Sequence, residues 1–246
     1  NAIFVSLSTQ TFSGGEIPFA EQAAWLDRVL TENPRRWRIV YYHHPNYTHE
    51  AAFSISHEPN EQDQNAALIP VIDRHHVDLV LTSHNHWYER YEPSACDRAG
   101  NPGSDSPCPV GSFAEGTAYV VSGGAGAFTI PSALCGGGVF EEVTGRILCD
   151  DPHHYLLISI DDETLTYEAY DTDDGGIFDS FVITKPPIDC TEPDLEPDPD
   201  PEPDPDMGTD LAAPDGSLTT DTTSEVASPN ADADEADAEA ALAASA

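Results

Sequence analysis

Residues 39–47 read IVYYHHPNY and residues 77–90 read VDLVLTSHNHWYER. Each is a short apolar run, rich in β-branched and aromatic residues, that ends in histidines. The runs predict two buried strands, Arg38 to Tyr42 and Val77 to Thr82. In an open α/β sheet, ligands gather at the carboxyl ends of the strands. Two such strands lying parallel would bring His43 and His44 close to His84 and His86, although the sequence separates them widely.

The flanking sequence supports that arrangement. Ile3 to Leu7 and Thr117 to Ser122 read as further strands. Glu16 to Thr31 places Phe19, Ala23, Leu26 and Leu30 at helical spacing, with Trp25 and Val29 on the flank, and predicts an amphipathic helix. Asn65 to His76 predicts a second helix, in which Pro70 calls for a kink or a late start. Strand, helix, strand, helix, strand is the order of parallel crossovers. Later the pattern changes. His154 to Ile160, Glu163 to Tyr170 and Ile177 to Thr184 are separated by Asp- and Gly-rich turns and predict an antiparallel meander. Residues 1–185 are thus expected to form a mixed α/β domain.

The chain has 246 residues, with 9 Lys+Arg against 45 Asp+Glu and a net charge of −36. A sequence-independent nucleic-acid binder needs a basic footprint, so that class is excluded. An anionic membrane surface would repel the chain in the same way. Residues 186–246 hold 12 Asp, 6 Glu and ten of the 21 prolines, and no Lys, Arg or aromatic residue. That composition predicts a disordered, solvated tail, with a polyproline-II spacer over Pro193 to Asp206 and a role in cell-surface attachment. No apolar run approaches the ~20 residues that span a bilayer. The chain opens on Asn1 rather than Met, so its true start is expected to be removed or to lie upstream.

Cys96 and Cys108 bracket one Gly-, Pro- and Ser-rich loop, and Cys135 and Cys149 bracket another. Closing such loops stabilises regions with little core of their own, so both pairs are expected as disulfides, in an oxidising compartment. The alternative is free thiols in a cytosolic protein. None of the spacings is C-x-x-C, which argues against a zinc ribbon. Cys190 is left over.

Neutral imidazole suits ions of the Zn, Fe and Mn class, so the two histidine clusters are candidate ligands. His75 and His76 fall at a helix end, where the dipole favours positive charge, and read as structural. His153 and His154 read as a loop-to-strand pair. His49 and His57 follow the first cluster, within reach of a substrate.

Together these blocks resemble the calcineurin-like metallophosphoesterases, and among them the purple acid phosphatase-like group. Val40-Tyr41-Tyr42-His43 is similar to the family pattern V-x-x-H, and Ser83-His84-Asn85-His86 to G-H-x-H with Ser in place of Gly. Tyr88-Glu89-Arg90 resembles the purple acid phosphatase branch, as do the helix at Gln22 to Leu30 and the Gly-rich turn of Thr117 to Ala127. The resemblance implies part of an α/β/β/α sandwich and hydrolysis of phosphate monoesters by two metal ions of the Fe, Zn or Mn class. It implies that His43 and His84 bind one ion and His86 the other. It also implies a leaving-group acid at His49 or His57, substrate contacts from His44, Asn85 and Tyr88, and export from the cytoplasm. A phosphodiesterase, or a non-catalytic binding module on the same fold, is the alternative. The family's G-D-x-G, G-D-x-x-Y and G-N-H-E/D blocks have no match in residues 1–42. The chain is therefore expected to be the C-terminal part of such a domain and to be inactive alone. If the family Gly needs a positive φ, Ser83 would be strained. Asn46-Tyr47-Thr48 matches a glycosylation acceptor beside the site and reads as coincidental.

Overall fold

A computed structural model describes residues 1–9, 17–49, 60, 63–131 and 144–187. One compact unit runs from Asn1 to Pro187. Nine strands and two helices are described: β1 (Ala2–Ser6), α1 (Phe19–Glu32), β2 (Trp37–Tyr41), α2 (Gln64–Arg74), β3 (Leu79–Thr82), β4 (Tyr88–Tyr91), β5 (Ala118–Ser122), β6 (Arg146–Asp150), β7 (His154–Asp161), β8 (Thr164–Asp171) and β9 (Ile177–Thr184). Residues 188–246, which hold nearly all of the expected tail, lie outside the described residues.

The first six strands to pair form a sheet in the order β1-β2-β3-β5-β4-β6. The first four of these are mutually parallel, with Val40 beside Val80 and Val80 beside Tyr119. β4 and β6 run antiparallel at the far edge. The second sheet is the expected meander, β7-β8-β9. Period-two alternation divides the residues of each central strand between two cores. Val40, Val80 and Val121 face the helices, with Leu26 and Leu30 of α1 and Leu68, Ile69 and Ile72 of α2. Ile39, Leu79 and Val120 face the second sheet, with Leu165, Tyr167, Phe181 and Ile183. The result is a mixed α/β fold with helix, sheet and sheet in layers. Among the described residues no helix covers the outer face of the second sheet.

The sequence-predicted strands and helices all form, with ends displaced by at most three residues. α1 buries Ala23, Leu26 and Leu30 as its spacing predicts. α2 starts at Gln64, well before Pro70, so the late start does not occur. Leu68, Ile69, Val71 and Ile72 are all buried around the proline. That burial offsets the hydrogen bond Pro70 cannot donate. β4 and β6 are additions to the reading. β4 falls within the stretch quoted for its histidines, where the motif obscured a short antiparallel strand. The disulfide Cys96–Cys108 is present, with Cα atoms 5.0 Å apart. Cys149 is also disulfide-bonded, whereas Cys135 and Cys190 lie outside the described residues.

Candidate metal centre

β2 and β3 are hydrogen-bonded neighbours, and each is followed at its carboxyl end by one histidine cluster. The connection is tight, since Ser83 N donates to the carbonyl of His43 at 2.9 Å. His43, His44 and His84 consequently meet. One potential ligand atom from each lies within 4.8 Å of the others. The ring centroids of the three are 4.7 to 4.9 Å apart. His84 Nδ1 faces His43 Nε2 at 2.7 Å. Among the described residues this is the one grouping of three or more metal-capable side chains.

Local wiring fixes these rings. His44 is buried, and its Nδ1 lies 2.7 Å from the carbonyl oxygen of Thr9. A carbonyl only accepts, so Nδ1 carries the proton and Nε2 the lone pair. The backbone N–H of His44 donates to Thr9 Oγ1 at 2.8 Å. Gln64, the first residue of α2, donates from Nε2 to the carbonyls of His44 and Pro45. His84 takes the left-handed conformation, φ 63°, in a short turn where Asn85 N donates to the carbonyl of Ser83. The positive φ is thus at His84 and not at Ser83, so the serine carries no such strain. Gly123, just past β5, is packed against this turn. A Cβ there would lie 1.9 Å from the carbonyl oxygen of Asn85.

A buried carboxylate ties the two clusters together from below. Glu89 is fully buried in β4. It accepts hydrogen bonds from Thr48 Oγ1 at 2.6 Å, Trp87 Nε1 at 3.0 Å and His49 N at 3.2 Å, and pairs with Arg146 at 3.0 Å. Asn85 Nδ2 donates to Thr48 Oγ1 at 2.7 Å. Sequence reasoning placed Glu89 in a motif and gave no role to Thr9, Gln64 or Arg146. The signal available for Glu89 was its acidic side chain flanked by Trp87 and Tyr88 in a short apolar strand.

The other expected site residues have other surroundings. His86 is outside the grouping, with its ring edge-on to Phe128 at 4.8 Å and its Nδ1 buried without a hydrogen-bond partner. His49 is buried with its ring 6.3 Å from that of Trp87. His57 lies outside the described residues. Asn85 is buried on Thr48. Tyr88 is buried between the sheets. Its hydroxyl donates to Asp179 at 2.6 Å, beside the Arg90–Asp179 pair at 2.6 Å, which makes it a core residue in place of the expected substrate contact. The reason is the pleat: residues 84–87 form the turn, and Tyr88 is the first residue of a strand whose alternate positions face the second sheet. Asn46 is buried and bonded to Tyr42 and Asn65, which closes it to glycosylation. His75 caps α2 and pairs with Asp27 at 2.7 Å, a structural role as expected.

The donor set of this cluster fits one metal ion better than two. Three imidazoles suit a first-row transition ion. A two-ion centre is normally bridged by oxygen donors, and no carboxylate belongs to the grouping among the described residues. No family model matches the chain. It is 28% identical over 225 residues to an uncharacterised protein of Mycobacterium tuberculosis, covering 71% of this chain and 40% of that protein. An acid phosphatase of Aspergillus ficuum is 27% identical over 173 residues, covering 68% of this chain and 27% of the relative. The chain thus spans well under half the length of the curated relatives it matches. Among solved structures, purple acid phosphatase from yellow lupin seeds (Lupinus luteus) superposes with a TM-score of 0.55 at 22% identity, over 74% of this chain and 31% of that one. The parallel strands and the meander behind them thus share, in part, the fold of that purple acid phosphatase.

Proposed function

We propose that the chain forms part of a metal-dependent phosphoester hydrolase, acting on phosphate monoesters in an oxidising, extracytoplasmic compartment. The convergence of His43, His44 and His84 at the carboxyl ends of two adjacent parallel strands is the observation that carries this reading. When bound, metal ions at such a centre lower the pKa of a water, hold the phosphate and neutralise developing charge. His43 and His84 would hold one ion there, and His86 would serve a second whose oxygen donors are not in this cluster. His49, held through its backbone by Glu89, would supply a proton to the leaving group. Asn85, fixed by Thr48, would orient the phosphate. The Cys96–Cys108 disulfide supports export. Among the described residues no helix is long and apolar enough to cross a membrane. The acidic segment beyond residue 187 would serve as a spacer to a cell surface.

The test is turnover of an aryl phosphate by a polypeptide extended upstream of Asn1 in the reading frame. Metal-dependent hydrolysis, lost in His84→Ala, is the expected result, with the 246 residues alone inactive. An extended polypeptide that binds metal and hydrolyses no phosphoester would overturn the reading.

A further inference from the structure

We infer that His44 is a third nitrogen donor, so that His43, His44 and His84 together bind one divalent transition-metal ion. The inference rests on the metal-site half of the reading above and not on hydrolysis. The resemblance implied a substrate contact for His44, and of two adjacent side chains on a strand only one usually points into a site. His44 lies beyond the end of β2, where that alternation no longer applies. Pro45 follows it and biases its backbone toward extended conformations.

Three features make His44 a donor rather than a bystander. The first is distance: its ligand atom belongs to the set that lies within 4.8 Å. Two imidazole nitrogens on one tetrahedral ion, each about 2.0–2.1 Å from it, are about 3.4 Å apart, so side-chain movements that bring the outermost two about 1.4 Å closer complete the set. The second is tautomer. With Nδ1–H on the Thr9 carbonyl, the lone pair is on Nε2, in the pattern by which metal-bound histidines are oriented through their other nitrogen. The third is rigidity. The His44 N–H is held by Thr9 and its carbonyl by Gln64, so the ring is positioned before any ion arrives. His84 Nδ1 and His43 Nε2, facing each other at 2.7 Å, complete a ring of nitrogen donors. His43 is exposed, which leaves the site open to solvent on one side. A donor set of neutral imidazoles selects Zn(II), Cu(II) or Ni(II) over Mg(II) and Ca(II).

The full chain is titrated with Zn(II) by calorimetry, and with substoichiometric Cu(II) for pulsed EPR, which counts coordinated imidazoles. One tight Zn(II) per chain and three imidazoles on Cu(II) are expected. In His44→Ala the Zn(II) affinity falls by about tenfold or more and the count drops to two. His44→Gln gives the same result, and melting in EDTA checks that each variant is folded. A wild-type count of two overturns the inference even if neither variant folds, as does unchanged affinity in a folded His44→Ala. Absence of tight Zn(II) binding overturns it too. Hydrolysis by the extended polypeptide with a count of two would remove this inference and leave the hydrolase reading. A count of three without hydrolysis would do the reverse.

Discussion

The two ends of β2 and β3 are built on opposite plans. At the amino ends, charge is matched. Asp78, 5% exposed, accepts from the backbone of Arg38 at 2.9 Å and pairs with Lys185 at 2.7 Å. Lys185, the only lysine of the chain, also sits over the Trp37 ring at 4.7 Å. Arg36 donates to the carbonyls of Asp162, Lys185 and Pro186. A cavity of about 320 Å³ opens here, lined by the Asp78–Lys185 pair and by Arg36. At the carboxyl ends, three imidazoles converge, with no carboxylate in their grouping among the described residues. Ion pairing holds the first end together, and the second gathers three like groups at the candidate metal site.

The largest expected effect tests the matched end. Asp78→Ala leaves the Lys185 ammonium and the Arg38 N–H without their acceptor. Breaking such a pair by removing one partner costs about 3 kcal/mol, at the low end of the range because Lys185 keeps some solvent contact. Denaturant unfolding of the chain at neutral pH measures it. A change under about 1 kcal/mol would mean that the amino end is not held by this pair.

The converse holds at the histidine end. His84→Ala should lower the stability of the metal-free chain by about 1 kcal/mol, the net worth of its hydrogen bond to His43, well short of the loss at Asp78. Zn(II) at a hundred times its dissociation constant should stabilise the wild type by about 2.7 kcal/mol, and that gain should vanish in His84→Ala. Thermal melts with and without Zn(II) separate the two quantities. Gly123→Ala sharpens the contrast, since it touches no donor. Its Cβ would collide with the Asn85 carbonyl, so the turn that carries His84 must move. Stability should fall by about 1–3 kcal/mol and Zn(II) affinity should fall with it. A variant that melts lower but binds Zn(II) unchanged would show that the turn does not position His84.

Why the histidine end was legible in the sequence, and its supports were not, follows from distance along the chain. An apolar strand ending in histidines is a local pattern, so His43, His44 and His84 could be read from their own neighbourhoods. So could the helix at Leu26 and Leu30 and the three-stranded meander. The groups that fix the rings come from far away. Thr9 reaches His44 across 35 positions, and Glu89 reaches Thr48 across 41. Nothing near Thr9 marks it as a partner. Tyr88 was misjudged for a related reason: its motif suggested a site, while its place at the start of β4 turned it toward Asp179. Role assignment failed wherever a pleat or a long-range contact decided the direction of a side chain.

The smallest expected effect concerns a histidine near the same end of the sheet that follows the matched plan. His154 is buried, with Nε2 2.8 Å from Ser122 Oγ and Nδ1 2.8 Å from the carbonyl of Pro152. Burial pushes its pKa below the ordinary value of 6.5, and the Pro152 carbonyl pulls weakly the other way. The native state therefore binds this proton less readily than the unfolded chain. The stabilisation is complete above the ordinary value and is lost as pH falls below 6.5 toward the depressed native pKa. The melting temperature in EDTA should decline from pH 7.5 to 5.5, and the decline should be shallower in His154→Gln, which keeps polar atoms but cannot titrate. Groups common to the two proteins contribute equally to both slopes, so the difference between the slopes reports His154 alone. Equal slopes would mean that His154 accepts its proton as readily in the fold as out of it, and that its two hydrogen bonds match the charged ring as well as the neutral one.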